Sequence, residues 1–242
     1  MRTQRLAGGT KIEQKTRASK SFQEAARLLA QTGRAFYDRG WVLGTSGNFS
    51  AVVSRSPLRL AITPSGVEKG AIHPDKILEV DASGKCAAGG RRSSAETELH
   101  MTVVRARDAG AVLHTHSIWS TLLSIEHAAD GGFAIEGYEM LKGLAGVHTH
   151  EHREWLPIIQ NSQDMAVLSR EARRVLQRFP EAHGFLIRGH GLYTWGKDMT
   201  EARRHVEIIE FLLEVVGRRL FRQTGAAASP RTTGLKRRAA RG

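Results

Sequence analysis

Residues 93–117 read SSAETELHMTVVRARDAGAVLHTHS and combine an acid, a predicted helix and two histidines in one short stretch. Its apolar residues recur at helical spacing, at Leu99, Val103 and Ala106. Ser94 is therefore predicted to cap a helix of about three or four turns. Glu96 and His100 lie four residues apart, so this helix brings both side chains to one face.

The segment AVLHTHS that closes this stretch is predicted to form a strand. Alternate residues of a strand point to the same side, so His114 and His116 share one face. Two neutral imidazoles at this spacing can occupy adjacent positions around zinc, and a catalytic zinc usually has three protein ligands and one open position. Without other evidence, such a pair is more often structural, in hydrogen bonds or at a surface. A metal centre therefore requires a third ligand from elsewhere in the chain.

The composition is that of a globular protein with one large domain or two small ones. The chain has 242 residues, of which 40% are hydrophobic, enough for a substantial core. Its single cysteine, Cys86, excludes an internal disulfide and fits a reducing compartment. The sequence has no apolar run long enough to span a membrane and no signal-peptide core. We therefore expect a soluble, cytoplasmic protein.

The net charge of +12 is concentrated at the two ends of the chain. Residues 1–20 carry +5 and residues 222–242 carry +6, which leaves +1 on residues 21–221. Both ends are rich in small and polar residues, and we predict that they are disordered basic tails around one folded domain. Such tails are more often solvated than bound to RNA or anionic lipid. Neither a nucleic acid nor a membrane is expected as a partner.

Three loops in the first half of the chain, around residues 44–48, 63–66 and 93–94, are rich in glycine and in residues with hydroxyl or amide side chains. Backbone N–H groups exposed in such loops can approach an anion. Each loop alone is weak evidence, because turns of this composition usually only connect strands. Together they are a plausible cradle for one phosphate group, with the candidate residues Gly44, Ser46, Gly47, Asn48, Thr63, Ser65, Gly66, Ser93 and Ser94.

The remaining segments predict helices that alternate with short strands. Ser21 and Glu24 form a capping box for a helix that ends at Gly40, and a later helix opens near Asp164. The run FLIRGHGLYTWG predicts two short strands around a turn that places His190 at the bend. Strands joined mostly by short hairpins and covered by helices predict an α/β domain of three layers, α/β/α, with a mixed, mostly antiparallel sheet.

A second histidine cluster follows a predicted strand, FAIEGYEM, that leads to Glu139. His148, His150 and His152 alternate in sequence, so all three could face one side if their segment formed a strand. The segment lacks the β-branched run that is typical of a buried strand. This cluster is therefore the weaker candidate for a metal site.

Five motifs in this order, GTSGNFS, ITPSG, SSAE, HTHS and RGHG, resemble the class II aldolase/adducin family of zinc-dependent sugar-phosphate enzymes. The resemblance covers about residues 21–221. It implies a sheet between helices, and usually a homotetramer with the active site near a subunit interface. It also implies one zinc ion per subunit, held by His114, His116 and His190. The phosphate of a sugar-phosphate substrate is then expected to bind at Gly47, Asn48, Ser65, Gly66, Ser93 and Ser94.

The second half of the chain resembles one branch of that family. The runs EGYEMLKGLAG and PIIQNSQDM are similar to those of enzymes that remove water from a methylthio-substituted ribulose phosphate in methionine salvage. In that branch the acid of the EMxKG motif is the catalytic acid/base, which falls on Glu139. Glu96, at the position of the aldolase catalytic acid, is also present, so either carboxylate is a candidate. Some dehydratases carry a cysteine there, whereas Cys86 lies ten residues earlier and is predicted to be incidental.

Two other functions stay open at the level of the sequence. The first is an aldolase or epimerase of the same family that acts on a fuculose- or ribulose-type phosphate. The second is a non-catalytic, adducin-like interaction module that uses the basic tails. The three candidate zinc ligands and both acids are present, which argues against the second function. The resemblance therefore favours a zinc-dependent hydro-lyase.

Overall fold

One eight-stranded sheet organises the fold, seen in a computed structural model that describes residues 7–87 and 93–227. The strands are β1 Asn48–Arg55, β2 Leu58–Ile62, β3 Leu78–Asp81, β4 Ala111–Thr115, β5 Gly132–Ile135, β6 Glu154–Ile159, β7 Gly184–Ile187 and β8 Gly191–Gly196. The helices are α1 Ala7–Asp38, α2 Thr97–Arg107, α3 Ile118–Glu126, α4 Met165–Arg178 and α5 Met199–Ala227. Short 3-10 helices span Pro74–Lys76 and Glu139–Gly143.

The strands are arranged in the order β3-β2-β1-β4-β8-β7-β6-β5. Strands β6 and β7 run parallel, and the other neighbouring strands are antiparallel. Strand β4 is buried along its whole length between β1 and β8. The predicted mixed, mostly antiparallel sheet is confirmed, and the strand that carries the HxH pair lies near its centre.

Helices cover both faces of this sheet. On one face, α2 and α4 contribute Leu99 and Leu168 to a buried apolar cluster. On the other face, α1 and α5 pack on the sheet, with Val206 of α5 in the core. Adjacent residues of β4 point to opposite faces, Val112 into the first cluster and Leu113 into the second. The predicted three-layer α/β/α architecture is confirmed.

The first helix is longer than the sequence analysis predicted. Helix α1 begins at Ala7 rather than at Ser21, so it includes residues 7–20, which the sequence analysis assigned to the basic tail. The residues before Ser21 are mostly good helix formers and include no proline, so the helix continues through the predicted cap. Ser21 Oγ instead donates a hydrogen bond to Val53 O at 3.3 Å. Residues 1–6 lie outside the described part of the chain.

The last helix also extends into a predicted tail. Helix α5 ends at Ala227, so it includes residues 222–227, which the sequence analysis assigned to the second basic tail. The chain there contains glycine but no proline before position 230, and nothing in it forces the helix to stop earlier. The rest of that predicted tail, residues 228–242, lies outside the described ranges.

Two boundaries near candidate site residues differ from the predictions. Helix α2 is capped at Glu96 rather than at Ser94. The Ser94 hydroxyl accepts a hydrogen bond from Glu96 N at 3.2 Å, so it braces the turn that precedes the helix. Strand β5 ends at Ile135, and Glu139 begins a 3-10 helix instead of ending a strand. Gly137, with φ at +80°, interrupts the extended chain between them.

Other predicted boundaries agree with the structure. Asp164 caps α4, because its carboxylate accepts hydrogen bonds from Ala166 N and Val167 N. The strands on either side of His190 form as predicted, with that residue in the turn between them. Within the described ranges, no helix has the length and apolar character needed to cross a membrane.

Candidate metal centre and anion cavity

The centre of the sheet brings the three predicted metal ligands together. His114 lies in β4, His116 follows that strand, and His190 lies in the turn between β7 and β8. The turn approaches β4 closely because Gly191 has no side chain, and a Cβ there would lie 2.0 Å from Thr115 O. Ligand atoms of the three histidines lie within 4.8 Å of one another. Residues far apart in the sequence therefore meet at one point.

The three imidazoles form a set of converging nitrogen atoms. His114 Nδ1 donates to Leu192 O at 2.9 Å, which leaves its Nε2 as an acceptor. That Nε2 lies 2.7 Å from His116 Nε2 and 3.3 Å from His190 Nε2. A single lone pair cannot accept a proton from both neighbours, whereas a metal ion can bind all three nitrogens. This donor set fits zinc or another divalent metal that prefers imidazole.

Burial keeps these imidazoles neutral. The pKa of His114 lies well below its usual 6.5, first because of burial and then because a proton on His114 would be repelled by one on His116 or His190. Burial, with smaller contributions from His190 and Lys69, lowers the pKa of His116 to about 4. Burial also lowers the pKa of His190, although the charge of Glu96 opposes that shift. Neutral imidazole is the form that binds a metal, so the three rings need no deprotonation to do so.

Glu96 adjoins two of these histidines. Its Oε2 lies 3.6 Å from His114 Nε2, and its Oε1 lies 3.5 Å from His190 Nε2. The side chain is 13% exposed, so it faces the cavity beside the histidines without being open to bulk solvent. A carboxylate in this position can exchange a proton with a molecule bound next to the imidazoles.

A buried hydrogen-bond network holds Glu96 in place. Asn48 Nδ2 donates to the Glu96 carboxylate and, at 3.2 Å, to Ser94 Oγ. His100 Nε2 is hydrogen-bonded to Asn48 Oδ1, and its Nδ1 lies 2.7 Å from Ser50 Oγ. Burial lowers the pKa of His100 to about 3, so this ring is neutral. The shared helix face of Glu96 and His100 therefore serves to fix Asn48 between them.

A cavity of about 270 Å³ opens next to the histidines. It is lined by five of the six residues predicted to bind phosphate, Gly47, Asn48, Ser65, Gly66 and Ser94. Ser93 does not line it, and its hydroxyl donates to Gly84 O at 3.3 Å. Gly47 has φ at +70°, and a Cβ there would lie 2.7 Å from His114 O. A glycine is therefore required where the first loop meets the strand that carries two of the predicted metal ligands.

The cavity also contains residues that the sequence analysis missed. Lys69, which follows the second loop within TPSGVEKG, is buried at its wall. The polar residues at positions 161–163 also line it, directly after the end of β6. Two signals were available in the sequence: a lysine close to a loop predicted to bind an anion, and a polar run immediately after an apolar strand.

Glu139, the other predicted catalytic acid, does not line this cavity. Its side chain is 71% exposed and pairs with Lys142 Nζ at 2.5 Å. The hydrogen bond and charge of Lys142 lower the pKa of Glu139. Cys86 also lies outside the cavity wall and packs against the apolar cluster that contains Leu99. Of the two predicted acids, Glu96 alone adjoins the predicted metal ligands of its own chain, whereas Glu139 Oε2 lies 3.7 Å from His150 Nδ1.

The three alternating histidines His148, His150 and His152 do not come together as a cluster. The chain from 148 to 152 forms no strand, and His148 and His150 are exposed. His152 instead joins Glu154 and His183, and the ligand atoms of these three side chains lie within 4.8 Å of one another. His152 Nε2 and His183 Nδ1 each lie 2.9 Å from Glu154 Oε2. Within the part of the chain that the structure describes, this is the second group able to hold a metal.

The sequence is similar to a family and to named enzymes within it. The profile of the class II aldolase and adducin N-terminal domain matches residues 27–216. Methylthioribulose-1-phosphate dehydratase from Marinobacter nauticus is 43% identical over 194 residues, which cover 80% of this chain and 92% of that protein. The enzyme of the same name from Methylococcus capsulatus is 45% identical over 195 residues, or 80% of this chain and 93% of that protein.

Solved structures share the fold at lower sequence identity. L-fuculose-1-phosphate aldolase from Thermus thermophilus has a TM-score of 0.65 at 23% identity, over 85% of this chain and 100% of that one. YgbL from Escherichia coli, described as a putative aldolase/epimerase/decarboxylase, has a TM-score of 0.67 at 22% identity, over 81% of this chain and 89% of that one. Likeness at this level concerns the fold alone.

Proposed function

This chain belongs to the class II aldolase and adducin family, and we propose that it is a methylthioribulose-1-phosphate dehydratase. The observation that carries the proposal is one cavity where converging imidazoles and a carboxylate adjoin loops rich in glycine and hydroxyl groups. Such a cavity suits a substrate with a carbonyl at one carbon and a phosphate on the next. Two relatives of that name, 43% and 45% identical over 80% of this chain, support the same substrate.

The proposed reaction removes water from 5-methylthioribulose 1-phosphate and gives 2,3-diketo-5-methylthiopentyl 1-phosphate. The C3–H bond and the C4–O bond break, and the resulting C3 enol becomes the second ketone. The C3 hydrogen is acidic because the C2 carbonyl can accept the negative charge. Catalysis therefore needs a base near C3 and an acid near the C4 hydroxyl.

We propose that His114, His116 and His190 hold one zinc ion per subunit. A metal bound there supplies a Lewis acid for the C2 carbonyl oxygen. The chain itself fixes the orientation of its ligands, because the hydrogen bond to Leu192 O determines which nitrogen of His114 faces the cavity. The loop residues that line the cavity would hold the phosphate and so position C2 to C4, whereas the Ser93 hydroxyl is already used by Gly84 O.

The two predicted acids receive different roles in this proposal. Glu96 would take the C3 proton, since its carboxylate lies within 3.6 Å of the histidine nitrogens. Glu139 would protonate the departing C4 hydroxyl in the cavity of a neighbouring subunit, because its exposed side chain does not line its own. Transfer from solvent into a cavity would raise the pKa of Glu139, which favours a proton donor.

A homo-oligomer is part of the proposal, and a tetramer is the form that the family resemblance favours. Three apolar side chains on α3, Ile118, Leu122 and Ile125, are 70%, 38% and 50% exposed and lie on one side of the helix. Helix α3 begins two residues after His116, so a second copy that covers this surface would come close to the metal centre. We also propose a cytoplasmic location, which the single cysteine supports.

The direct test is to incubate zinc-loaded protein with 5-methylthioribulose 1-phosphate and to follow the reaction by mass spectrometry. We expect a product that is lighter by one water and carries a 2,3-diketone. Cleavage into two carbonyl fragments would indicate an aldolase instead. No reaction in protein with a full complement of metal would contradict the proposal.

The role of Glu139 can be tested by mixing two inactive variants. Glu139→Gln lacks the proposed acid, and His190→Ala lacks a proposed metal ligand. If Glu139 acts in a neighbouring subunit, hybrids formed by subunit exchange contain some complete cavities and recover part of the wild-type turnover. Hybrids that stay inactive, with exchange verified by native mass spectrometry, would place Glu139 outside the reaction of its neighbours.

A further inference from the structure

Lys69 is a buried cation at the wall of the cavity. Its side chain is 1% exposed. Its Nζ donates to Thr45 O at 3.1 Å and to Val67 O at 2.7 Å. Thr45 lies in the first anion-binding loop and Val67 directly follows the second. The ammonium group therefore ties the two loops together at the point where both line the cavity.

The charge of Lys69 has no counter-charge within the described residues, because no carboxylate there lies within 4.0 Å of Nζ. An ammonium group has three N–H donors, and the two backbone carbonyls use two of them. A buried charge without a partner is costly, and burial lowers the pKa of Lys69 to about 8. One donor and one positive charge are therefore left for a molecule in the cavity.

Close packing against α1 fixes the main chain at Lys69. A Cβ at Gly33 would lie 2.9 Å from Lys69 O, and a Cβ at Gly70 would lie 2.6 Å from the ring of Tyr37. Glycine at both positions lets the helix lie directly against this segment. The Lys69 side chain is therefore fixed at both ends, at its backbone by packing against α1 and at its ammonium group by the two carbonyls.

We propose that Lys69 is the cation of the phosphate subsite and donates its remaining N–H to an oxygen of a phosphate monoester. The ligand class is a small sugar phosphate that carries its dianion beside the loops, and an unphosphorylated sugar would lack this contact. The inference deepens the proposed function and rests on it only for the sugar part of the ligand. Lys69 is a binding residue that selects phosphorylated substrates, and it has no part in proton transfer.

The first test measures binding of inorganic phosphate to the zinc-loaded full chain by calorimetry. Lys69→Met keeps a long apolar side chain but removes the charge, and we expect the dissociation constant for phosphate to rise by about tenfold to a hundredfold. Lys197→Met, at an exposed lysine whose side chain is 77% accessible, is the matched control and should bind phosphate like the wild type. Unchanged phosphate binding by folded, metal-loaded Lys69→Met would overturn the proposal.

A second measurement uses the wild-type chain and does not depend on how the variant folds. NMR of isotopically labelled lysine Cε atoms reports the surroundings of each ammonium group, whether it is buried or exposed. Phosphate should shift the Cε signal of Lys69 and leave that of Lys197 unchanged. Failure of phosphate to bind, or binding without a shift at Lys69, would contradict the proposal.

These results separate the proposal from the dehydratase reaction. Phosphate binding that depends on Lys69, without turnover of 5-methylthioribulose 1-phosphate, would sink the proposed function and keep the phosphate subsite. Turnover of 5-methylthioribulose 1-phosphate together with phosphate binding that does not depend on Lys69 would support the proposed function and overturn the role of Lys69.

Discussion

Two clusters in the described chain each place three metal-capable side chains within 4.8 Å of one another. In the first, nitrogen faces nitrogen, with His114 Nε2 at 2.7 Å from His116 and 3.3 Å from His190. In the second, the nitrogens of His152 and His183 face a carboxylate oxygen at 2.9 Å. In the second cluster, each histidine N–H can donate a hydrogen bond to the carboxylate oxygen. In the first, the single lone pair of His114 Nε2 cannot accept hydrogen bonds from both neighbouring nitrogens. The kind of atom that each histidine nitrogen faces, and not the number of histidines, distinguishes the candidate metal centre from a buried ion pair.

The second cluster, formed by His152, Glu154 and His183, contains a histidine whose two ring nitrogens both face oxygen acceptors. His183 Nδ1 faces Glu154 at 2.9 Å, and its Nε2 lies 2.8 Å from Ala145 O, so both ring nitrogens face oxygen acceptors, an arrangement that favours an imidazolium. Burial alone would lower the pKa of His183, but the hydrogen bond and charge of Glu154 outweigh burial and raise it. Burial alone would raise the pKa of Glu154, but hydrogen bonds from His183 and His152 bring it below its usual value.

Removing one histidine from each cluster gives the largest expected difference. His190→Ala should lose its bound zinc, and because a Lewis acid is worth several kcal/mol, turnover should fall by about 10³-fold. His152→Ala should keep the zinc and most of the turnover. Metal content by elemental mass spectrometry and steady-state kinetics decide the matter. Zinc lost from His152→Ala but kept in His190→Ala would reverse the assignment.

Removing the counter-charge of the second cluster tests whether it is an ion pair. Glu154→Gln leaves a buried imidazolium unpaired, and the free energy of unfolding should fall by about 3 kcal/mol. Urea unfolding measures this value. The control is Glu171→Gln, at an exposed pair with Arg174 on α4, which should cost less than about 1 kcal/mol. Equal losses in the two variants would argue against a buried pair.

The dependence of stability on pH should follow the second cluster. The raised pKa of His183 stabilises the fold below its usual 6.5, and this contribution is lost as pH rises through the folded pKa. The lowered pKa of Glu154 stabilises above its usual 4.5 and is lost as pH falls through the folded pKa. The pair therefore contributes most between these two values.

The measurement for this prediction compares wild type with His183→Gln by urea unfolding in a chelating buffer. The difference in the free energy of unfolding should be larger at about pH 5.5 than at about pH 9. A difference that stays constant over this range would mean that His183 is neutral in the folded chain.

The smallest effect is expected at the exposed histidines that precede the second cluster. His148→Ala should leave zinc content and turnover unchanged and should alter the free energy of unfolding by less than about 0.5 kcal/mol, because the side chain is exposed. Elemental analysis and urea unfolding test this. A loss of zinc would return the alternating histidines to consideration as metal ligands.

Parts of the fold and site could be read from the sequence because they depend on local pattern. Alternation in β4 places His114 and His116 on one side, and the glycines of RGHG place His190 in a turn. The three-layer architecture follows from strands that alternate with amphipathic helices. The predicted helix cap at Ser94 was wrong by two residues, because its hydroxyl bonds to Glu96 N before the helix begins.

Other features could not be read because they depend on contacts distant in the sequence. The burial of Lys69 results from packing against α1 and from carbonyls of two separate loops. Glu154 and His183 meet only because β6 and β7 are parallel neighbours. Ser21 has a capping signature, yet α1 continues through it because the preceding residues are helix formers.

The three histidines of the proposed metal centre come from segments that are 76 residues apart in the chain, joined only when β4 pairs with β8. Before that pairing, an elongating polypeptide offers zinc just the two imidazoles of HTHS. Antiparallel pairing across so long a separation is a late event in folding, since loop closure must precede it. Metal loading is therefore expected to follow release of residues beyond Gly196 from the ribosome.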